Sequence, residues 1–167
     1  MVALGARSGY DIRRSAERSL RFFWALGPPQ IYAELRRLEE AGLVTGADDA
    51  RGRRPRRAFE ITAAGERALR AWLARDEPAP LEIRDSEMLR LFFADALPRA
   101  EAARRVASIR GRSERALTHF EAAILPPAER TADAGFEFPR EVARFGLELH
   151  EFIVDWCERL ERRLGKR

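Results

Sequence analysis

The chain has 167 residues, a formal net charge of +4 and a pI near 10.1. This length allows one domain or two small ones with a buried core, and the single cysteine, Cys157, excludes an internal disulfide. No apolar run approaches the roughly 18 residues of a membrane helix and no signal-peptide pattern is present, so we expect a soluble cytoplasmic protein.

The positive charge is concentrated in the front of the chain. Residues 1–75 hold 15 Arg or Lys against 9 Asp or Glu, whereas residues 76–167 hold 16 against 18. A basic front half is expected of a protein that faces a polyanion such as nucleic acid. Arginine-rich chains also arise from GC-rich coding, so the arginine count alone does not establish nucleic-acid binding.

The first predicted helix begins at a capping box of the form S-x-x-D, made by Ser8 and Asp11. It extends to about Phe23 or Trp24, and its apolar residues recur at helical spacing at positions 12, 16, 20 and 23. The free N–H groups at the start of such a helix can hold a phosphate.

A second helix is predicted from about Pro29 to Ala41. Two prolines suit its entry and first turn, and Gly42 supplies the left-handed residue that ends it. Ile31, Leu35 and Leu38 fall on one face and predict its core side. Gln30 and Arg36 lie on other faces, and both are side chains that can contact base edges or phosphates.

A basic β-hairpin is predicted directly after this helix. Residues 43–45 and 58–62 have strand character, and Gly, Pro and Asp residues mark the turn between them. Five of the seven positions 51–57 are arginine, although no core or helix requires them there. A helix that ends in a basic hairpin is typical of a winged helix-turn-helix, whose helix enters the major groove while the wing contacts the backbone or minor groove.

The remainder of the chain is predicted to be helical. Thr62 is expected to cap a helix to residue 74, and the Pro-containing segment 76–80 predicts a boundary between a DNA-binding domain, 1–75, and a second domain, 76–167. Asp85 or Ser86 caps a short helix, which is apolar over most of its circumference and is therefore expected to be buried among partners. A long helix then runs from Pro98 to about Leu125, where Pro126 and Pro127 are expected to stop it.

The last helix is predicted at 140–164. The long helix carries a heptad-like seam, and the last one carries an apolar stripe at Val142, Phe145, Leu149, Phe152, Trp156 and Leu160. Two helices with one seam each most simply form an antiparallel pair, and the remaining aromatic surface predicts coverage by a second copy of the chain. The predicted fold class is therefore mainly α, a winged helix-turn-helix followed by a helical dimerisation domain with long antiparallel helices.

Several spaced motifs in the front half resemble the DNA-binding domain of PadR-family transcriptional regulators. They lie at residues 8–12, 22–24, 30–32, 35, 37–39, 42–44, 52–57, 59 and 61–65. Residues 89–93 and the helix at 145–164 are similar to the longer helical C-terminal domain of the PadR subfamily that includes a virulence activator. The family also has a hydrophobic helix ahead of the Ser8 motif, where only residues 1–7 stand here; either the numbering begins at an internal start or that helix is trimmed.

The resemblance implies a homodimer that binds a pseudo-palindromic operator in double-stranded DNA, usually as a repressor. In some members small aromatic or amphipathic compounds release the DNA. Carried over by position, the DNA-binding residues are expected at the start of the first helix, on the recognition helix and on the wing: Ser8, Gly9, Tyr10, Gln30, Tyr32, Arg36, Arg53, Arg54, Arg56 and Arg57.

Trp72, Phe92 and Trp156 are candidates for an aromatic-lined effector site, although packing in the core or, for the two tryptophans, in the dimer interface is the favoured explanation of each. His119 and His150 have no partner at metal-ligand spacing, and Cys157 lies in an apolar stripe. No catalytic triad, phosphate loop or metalloprotease motif is present, so we expect no catalysis, metal or cofactor.

Two other functions are compatible with the sequence. The protein could be a DNA-binding regulator that takes no ligand and is controlled by its own abundance. It could also be a basic helical module that binds acidic proteins or RNA; a helical enzyme is a more distant alternative. An electrophoretic shift on the promoter of its own gene separates the regulators from the interaction module.

The wing assignment predicts that Arg53→Ala combined with Arg54→Ala weakens duplex binding and flattens its salt dependence. Each phosphate contact that is lost reduces the log–log salt slope by about 0.9. The measurement is the dissociation constant of the duplex at several salt concentrations. An unchanged slope would argue against the wing.

Overall fold

The computed structural model describes residues 1–20, 22–24, 27–49, 56–76, 80–133 and 135–165. The elements are α1 (Gly9–Ser19), α2 (Pro28–Glu40), β1 (Val44–Asp49), β2 (Arg56–Ile61), α3 (Ala63–Leu73), α4 (Ser86–Phe92), α5 (Arg99–His119), α6 (Leu125–Asp133) and α7 (Phe138–Gly165). Short 3₁₀ turns lie at Val2–Leu4 and Ala94–Ala96. The predicted mainly helical fold is confirmed.

The chain divides into two compact units, Met1–Pro80 and Leu81–Arg167. The first contains α1 to α3 with the hairpin, and the second contains α4 to α7. The predicted division after residue 75 differs from this one by five residues, because segment 76–80 groups with the first unit. The functions assigned to the two domains stay predictions.

The start of α1 is as predicted, whereas its end is not. Ser8 caps the helix with a capping box, in which its hydroxyl accepts a hydrogen bond from the Asp11 N–H. The helix ends at Ser19, because the N–H groups of Phe23 and Trp24 both donate to the Leu20 carbonyl in a turn. Phe23 and Trp24 are exposed, so the predicted stripe does not continue into the core.

Helix α2 lies within one residue of its predicted bounds. Gly27 is its N-cap, two prolines occupy its first positions, and Gly42 follows it with φ of 67°. Ile31 and Leu35 are buried on the predicted core face. The helix therefore shows its other side to solvent.

The hairpin is longer than predicted, with β1 and β2 paired antiparallel from Val44↔Ile61 to Asp49↔Arg56. The N–H of Phe59 also donates to the Arg7 carbonyl over 2.6 Å, which attaches the segment before α1 to the outer edge of β2. Thr62 caps α3 as predicted, since its Oγ1 accepts from the Gly65 N–H over 3.0 Å. The core of this unit consists of Ile12, Ile31, Leu35, Val44 and Phe59.

The prediction that α4 is buried was wrong for the single chain. Asp85 caps the helix, as expected, and also accepts a bidentate hydrogen bond from Arg112 of α5. That guanidinium holds the pKa of the Asp85 carboxyl below its ordinary value. Leu91 packs against the unit's core and Ala94 is buried, whereas four of their neighbours are exposed: Met88, Leu89, Phe92 and Phe93.

Pro126 and Pro127 do not stop the long helix. Between α5 and α6 the backbone forms a π-helical turn, Phe120–Ile124, in which the Leu125 N–H donates to the Phe120 carbonyl. The two prolines follow within the first turn of α6, where proline is tolerated because its missing N–H has no helical partner. The wider turn leaves room ahead of the proline rings, so the helix resumes and reaches Asp133.

Helices α5 and α7 form the predicted antiparallel pair, and the predicted stripe of α7 packs into it near the end of the helix but is exposed near the start. Near the end, Cys157 forms a buried core with Val106 and Ile109 of α5, and Trp156 and Leu160 pack against it. Ala143 and Gly146 of α7 are also buried. Most of the predicted seam is exposed on the neighbouring face: Val142, Phe145, Leu149 and Phe152. The hydrophobic spacing therefore predicts the covered face of α7 near its end, but not near its start.

Two helical glycines predict opposite effects of an added methyl group. The Cβ of Gly65→Ala would overlap the Leu43 carbonyl oxygen, so we expect the free energy of unfolding to fall by about 1–3 kcal/mol. Gly111→Ala finds only Arg115 at 3.5 Å and should gain roughly 0.5–1 kcal/mol from helix propensity. Urea denaturation of both variants checks this. Equal effects would contradict the described approach of α3 to β1.

Candidate nucleic-acid interface

The outward face of α2 presents polar and aromatic side chains. Gln30, Tyr32 and Arg36 are all exposed, opposite the buried Ile31 and Leu35. Within the described part of the chain Arg36 has no acidic partner, so its guanidinium is a free cation. Arg37 differs, because it pairs with Glu34 one turn earlier at 2.9 Å. Among the cations of this helix, Arg36 is therefore the one whose charge is not already neutralised.

Gln30 has a structural bond as well as an exposed position. Its Oε1 accepts a hydrogen bond from the Gly27 N–H over 2.9 Å, which completes the cap of α2. The amide nitrogen of the same side chain can still donate to an acceptor outside the protein. Base contact by Gln30 stays a prediction, now limited to its donor side.

The start of α1 offers less to a phosphate than the sequence suggested. Ser8 and Gly9 are buried, and the Ser8 hydroxyl donates to the Asp11 carboxylate over 2.6 Å. That carboxylate places negative charge where the predicted phosphate would lie. Tyr10 is the member of the predicted trio with an exposed side chain, and the Arg13 guanidinium lies 5.5 Å from its ring centroid.

Tyr32 connects the two helices. Its ring lies against Gly9, where an added Cβ would overlap the ring edge. The ring is nevertheless 50% exposed, so one side packs on α1 while the other faces solvent. Both roles left open by the sequence, packing and surface contact, are therefore available to Tyr32.

Of the predicted wing residues, Arg57 is the one whose side chain is described. Its Nη2 lies 2.6 Å from Oε1 of Glu39, at the end of α2, and its Nη1 lies 3.9 Å from Oδ1 of Asp48. Arg56 begins β2, and Arg53 and Arg54 lie outside the described residues. Glu39 was not predicted as a site residue, because a partner 18 residues away gives no periodic signal in the sequence.

Electrostatics at this junction favour the charged forms of both partners. The hydrogen bond from Arg57 is the main cause that lowers the pKa of the Glu39 carboxyl, and the Gly46 N–H adds to it. The same contact raises the pKa of Arg57. The pair is therefore ionised at neutral pH, and the Arg57 charge is largely compensated within the chain.

The three candidate effector residues do not share one cavity. Trp72 lines an open, mostly apolar cavity of about 510 Å³ in the first unit, together with α2 residues such as Leu35 and Leu38. Phe92 is exposed and stacks edge-to-face on Phe93, with ring centroids 5.0 Å apart. Trp156 packs against the core of the second unit.

The remaining titratable groups of interest have structural surroundings. His150 Nδ1 lies 3.3 Å from the Ser113 hydroxyl, and burial lowers the pKa of this imidazole. Burial raises the pKa of the Cys157 thiol. Among the described residues no group of His, Cys, Asp or Glu could hold a metal ion. Nor does any helix in the described ranges have the length and apolar content needed to cross a membrane.

Two family models match the chain. Residues 1–71 match the transcriptional regulator PadR-like family, and residues 83–165 match the virulence activator alpha C-terminal domain. Negative transcriptional regulator PadR of Bacillus subtilis (strain 168) is 33% identical over 103 residues, which span 61% of this chain and 57% of that protein.

Solved structures agree in fold. Bacillus subtilis PadR in complex with operator DNA is 25% identical with a TM-score of 0.81, covering 98% of this chain and 95% of that one. PadR in complex with p-coumaric acid has a TM-score of 0.74 at 24% identity, covering 99% and 96%. The Vibrio cholerae virulence activator AphA has a TM-score of 0.71 at 22% identity, covering 98% and 93%.

The contact between Gly9 and Tyr32 predicts a coupled effect on stability. Gly9→Ala forces the Tyr32 ring to move, so we expect the free energy of unfolding to fall by about 1 kcal/mol. In a Tyr32→Ala background the same change should be neutral or stabilising, because alanine favours the helix. A denaturation cycle on the four chains measures the coupling. Equal losses in both backgrounds would contradict the contact.

Proposed function

Because the chain belongs to the PadR-like family of transcriptional regulators, we propose that it is a homodimeric repressor that binds double-stranded operator DNA. The observation that carries the proposal is the exposed polar face of α2, which is tied to a basic hairpin through Glu39 and Arg57. An α-helix fits the major groove, where Arg can donate to guanine and Gln to acceptors on base edges.

We assign different contacts to different parts of this surface. Arg36, Gln30 and the exposed side of Tyr32 are proposed to face the major groove. Tyr10 at the start of α1 is proposed to approach the backbone. Arg53, Arg54 and Arg56 are proposed to contact phosphates or the minor groove from the wing.

The exposed stripe of α7 supports a homodimer. Phe145 and Phe152 are 60% and 58% exposed, and Leu149 between them and Val142 before them are exposed as well. A contiguous apolar stripe of this size on a water-soluble unit marks an interaction surface. A second copy of the chain is the simplest occupant, since a two-fold axis pairs identical stripes and presents two recognition helices about 34 Å apart.

The proposed repression is based on the name of a similar protein, and the proposed release from DNA is based on the ligand in one of its structures. The similar Bacillus protein is named a negative transcriptional regulator, and its structure is known with p-coumaric acid. We therefore propose that this chain blocks transcription from its operator, in the cytoplasm, and that a small flat aromatic or amphipathic effector releases it. The cavity lined by Trp72 supports that residue as the first to test. Identical operator affinity with and without candidate compounds would favour the ligand-independent regulator.

The dimer proposal predicts that Phe145→Glu separates the chains and weakens DNA binding. The side chain is exposed, so each chain should keep its helical circular dichroism while the paired stripes repel each other. Operator affinity should fall about 100-fold, because one recognition helix is lost from the complex. Sedimentation and an electrophoretic shift on a selected duplex measure the two effects.

Glu148→Gln is the matched control, since Glu148 is exposed beside the stripe and has no described partner. It should leave both the mass and the affinity unchanged. A wild-type chain that sediments as a monomer at micromolar concentration, or a Phe145→Glu dimer, would contradict the α7 interface. A wild-type chain that shifts no duplex would contradict the regulator itself.

A further inference from the structure

We propose that Glu39 is a positioning residue that holds the hairpin, or wing, against the recognition helix α2. In this proposal Arg57 is the structural partner of Glu39 rather than a phosphate contact. The inference rests on the proposed DNA-binding function and changes the role of one residue assigned to it. It follows from the contacts between the end of α2 and both strands of the hairpin.

Glu39 binds both strands at once. Its Oε1 accepts a hydrogen bond from the backbone N–H of Gly46 in β1 over 3.0 Å, and another from Nη2 of Arg57 in β2 over 2.6 Å. Arg57 is cross-strand neighbour to Asp48, which lies 3.9 Å from its Nη1. One carboxylate oxygen therefore connects three elements, α2, β1 and β2.

The backbone is shaped to admit this ion pair. A Cβ on Gly46 would lie 2.6 Å from Nε of Arg57 and 2.6 Å from Oε1 of Glu39. Any side chain at position 46 would therefore displace one of the partners. The Gly46 φ angle is not positive, so close approach, rather than a turn, explains the glycine.

The charges indicate which arginine is available to DNA. A phosphate that approaches Arg57 must compete with the short, charge-assisted bond between Arg57 and Glu39. Arg36, which lies on the same helix as Glu39, has no acidic partner among the described residues. The Glu39 side chain is only 26% exposed, so the competing bond is partly shielded from water. Arg57 therefore has a structural role, because its guanidinium connects β2 to α2 through Glu39.

The two roles predict opposite responses of DNA binding. If Arg57 is the structural partner of Glu39, then Glu39→Ala and Arg57→Ala each weaken duplex binding about tenfold. The double variant then loses no more affinity than either single variant, and the salt slope of binding is unchanged. If Arg57 contacts a phosphate, Arg57→Ala reduces the log–log slope by about 0.9, and Glu39→Ala tightens binding because it frees the guanidinium.

Glu40→Ala is the matched control for charge. Glu40 is the exposed neighbour of Glu39 at the end of the same helix and has no described partner. Removal of its charge should slightly tighten DNA binding, as loss of any nearby acid would. A Glu39→Ala variant that behaves like Glu40→Ala overturns the positioning role.

Hydrogen exchange of the Gly46 amide in the free protein separates this inference from the proposed function. Exchange should accelerate at least tenfold in Glu39→Ala and remain unchanged in Glu40→Ala. Accelerated exchange with normal DNA affinity would show a purely structural contact and overturn the positioning role. Unchanged exchange would overturn the contact itself. Failure of the wild-type chain to bind any selected duplex would instead reject the proposed function, whatever the exchange result.

Discussion

Burial of Ile31 and Leu35 on one side of α2 is the constraint on which the rest of the first unit depends. These side chains pack with Ile12, Val44 and Phe59, so α1 and both strands contact the same helix face. Each fully buried aliphatic side chain of this kind contributes roughly 1.5–3 kcal/mol. Because that face is fixed inward, the opposite face of α2 must be presented to solvent.

The second unit is organised around one long helix, α7. α7 packs on α5 through a face that includes Cys157, Trp156 and Leu160, and it leaves Phe145 and Phe152 uncovered. The two sets of residues have separate consequences. The covered residues form the core of the unit, and the exposed aromatic residues give the proposed dimer a surface. The net positive charge lies in the front part of the chain, because residues 1–75 hold 15 Arg or Lys against 9 Asp or Glu, whereas residues 76–167 hold 16 against 18.

Helix caps, turns and the hairpin were predictable from the sequence, whereas the residues that pack or pair across long sequence distances were not. The Ser8, Thr62 and Asp85 caps, the glycine after α2 and the hairpin depend on residues a few positions apart. The covered face of α7 was predicted correctly near the end of the helix, where Trp156 and Leu160 pack inward, but not near its start, where Phe145 and Phe152 are exposed in the single chain. Periodicity identifies an apolar stripe but not the surface that covers it. The helix end predicted at Pro126 and Pro127 was wrong, because a π-helical turn before them allows the helix to continue. The ion pair of Glu39 and Arg57 joins residues 18 positions apart and had no signal.

These observations support one central claim: a single surface made of α2 and the basic hairpin binds duplex DNA, and a dimer presents it twice. Hydroxyl-radical footprinting on a duplex selected from a random library tests this most directly. The account predicts protection on two successive turns of one duplex face, with centres about 10 base pairs apart and two chains bound per duplex. A single protected patch with one chain bound, or protection without any preferred sequence, would contradict it.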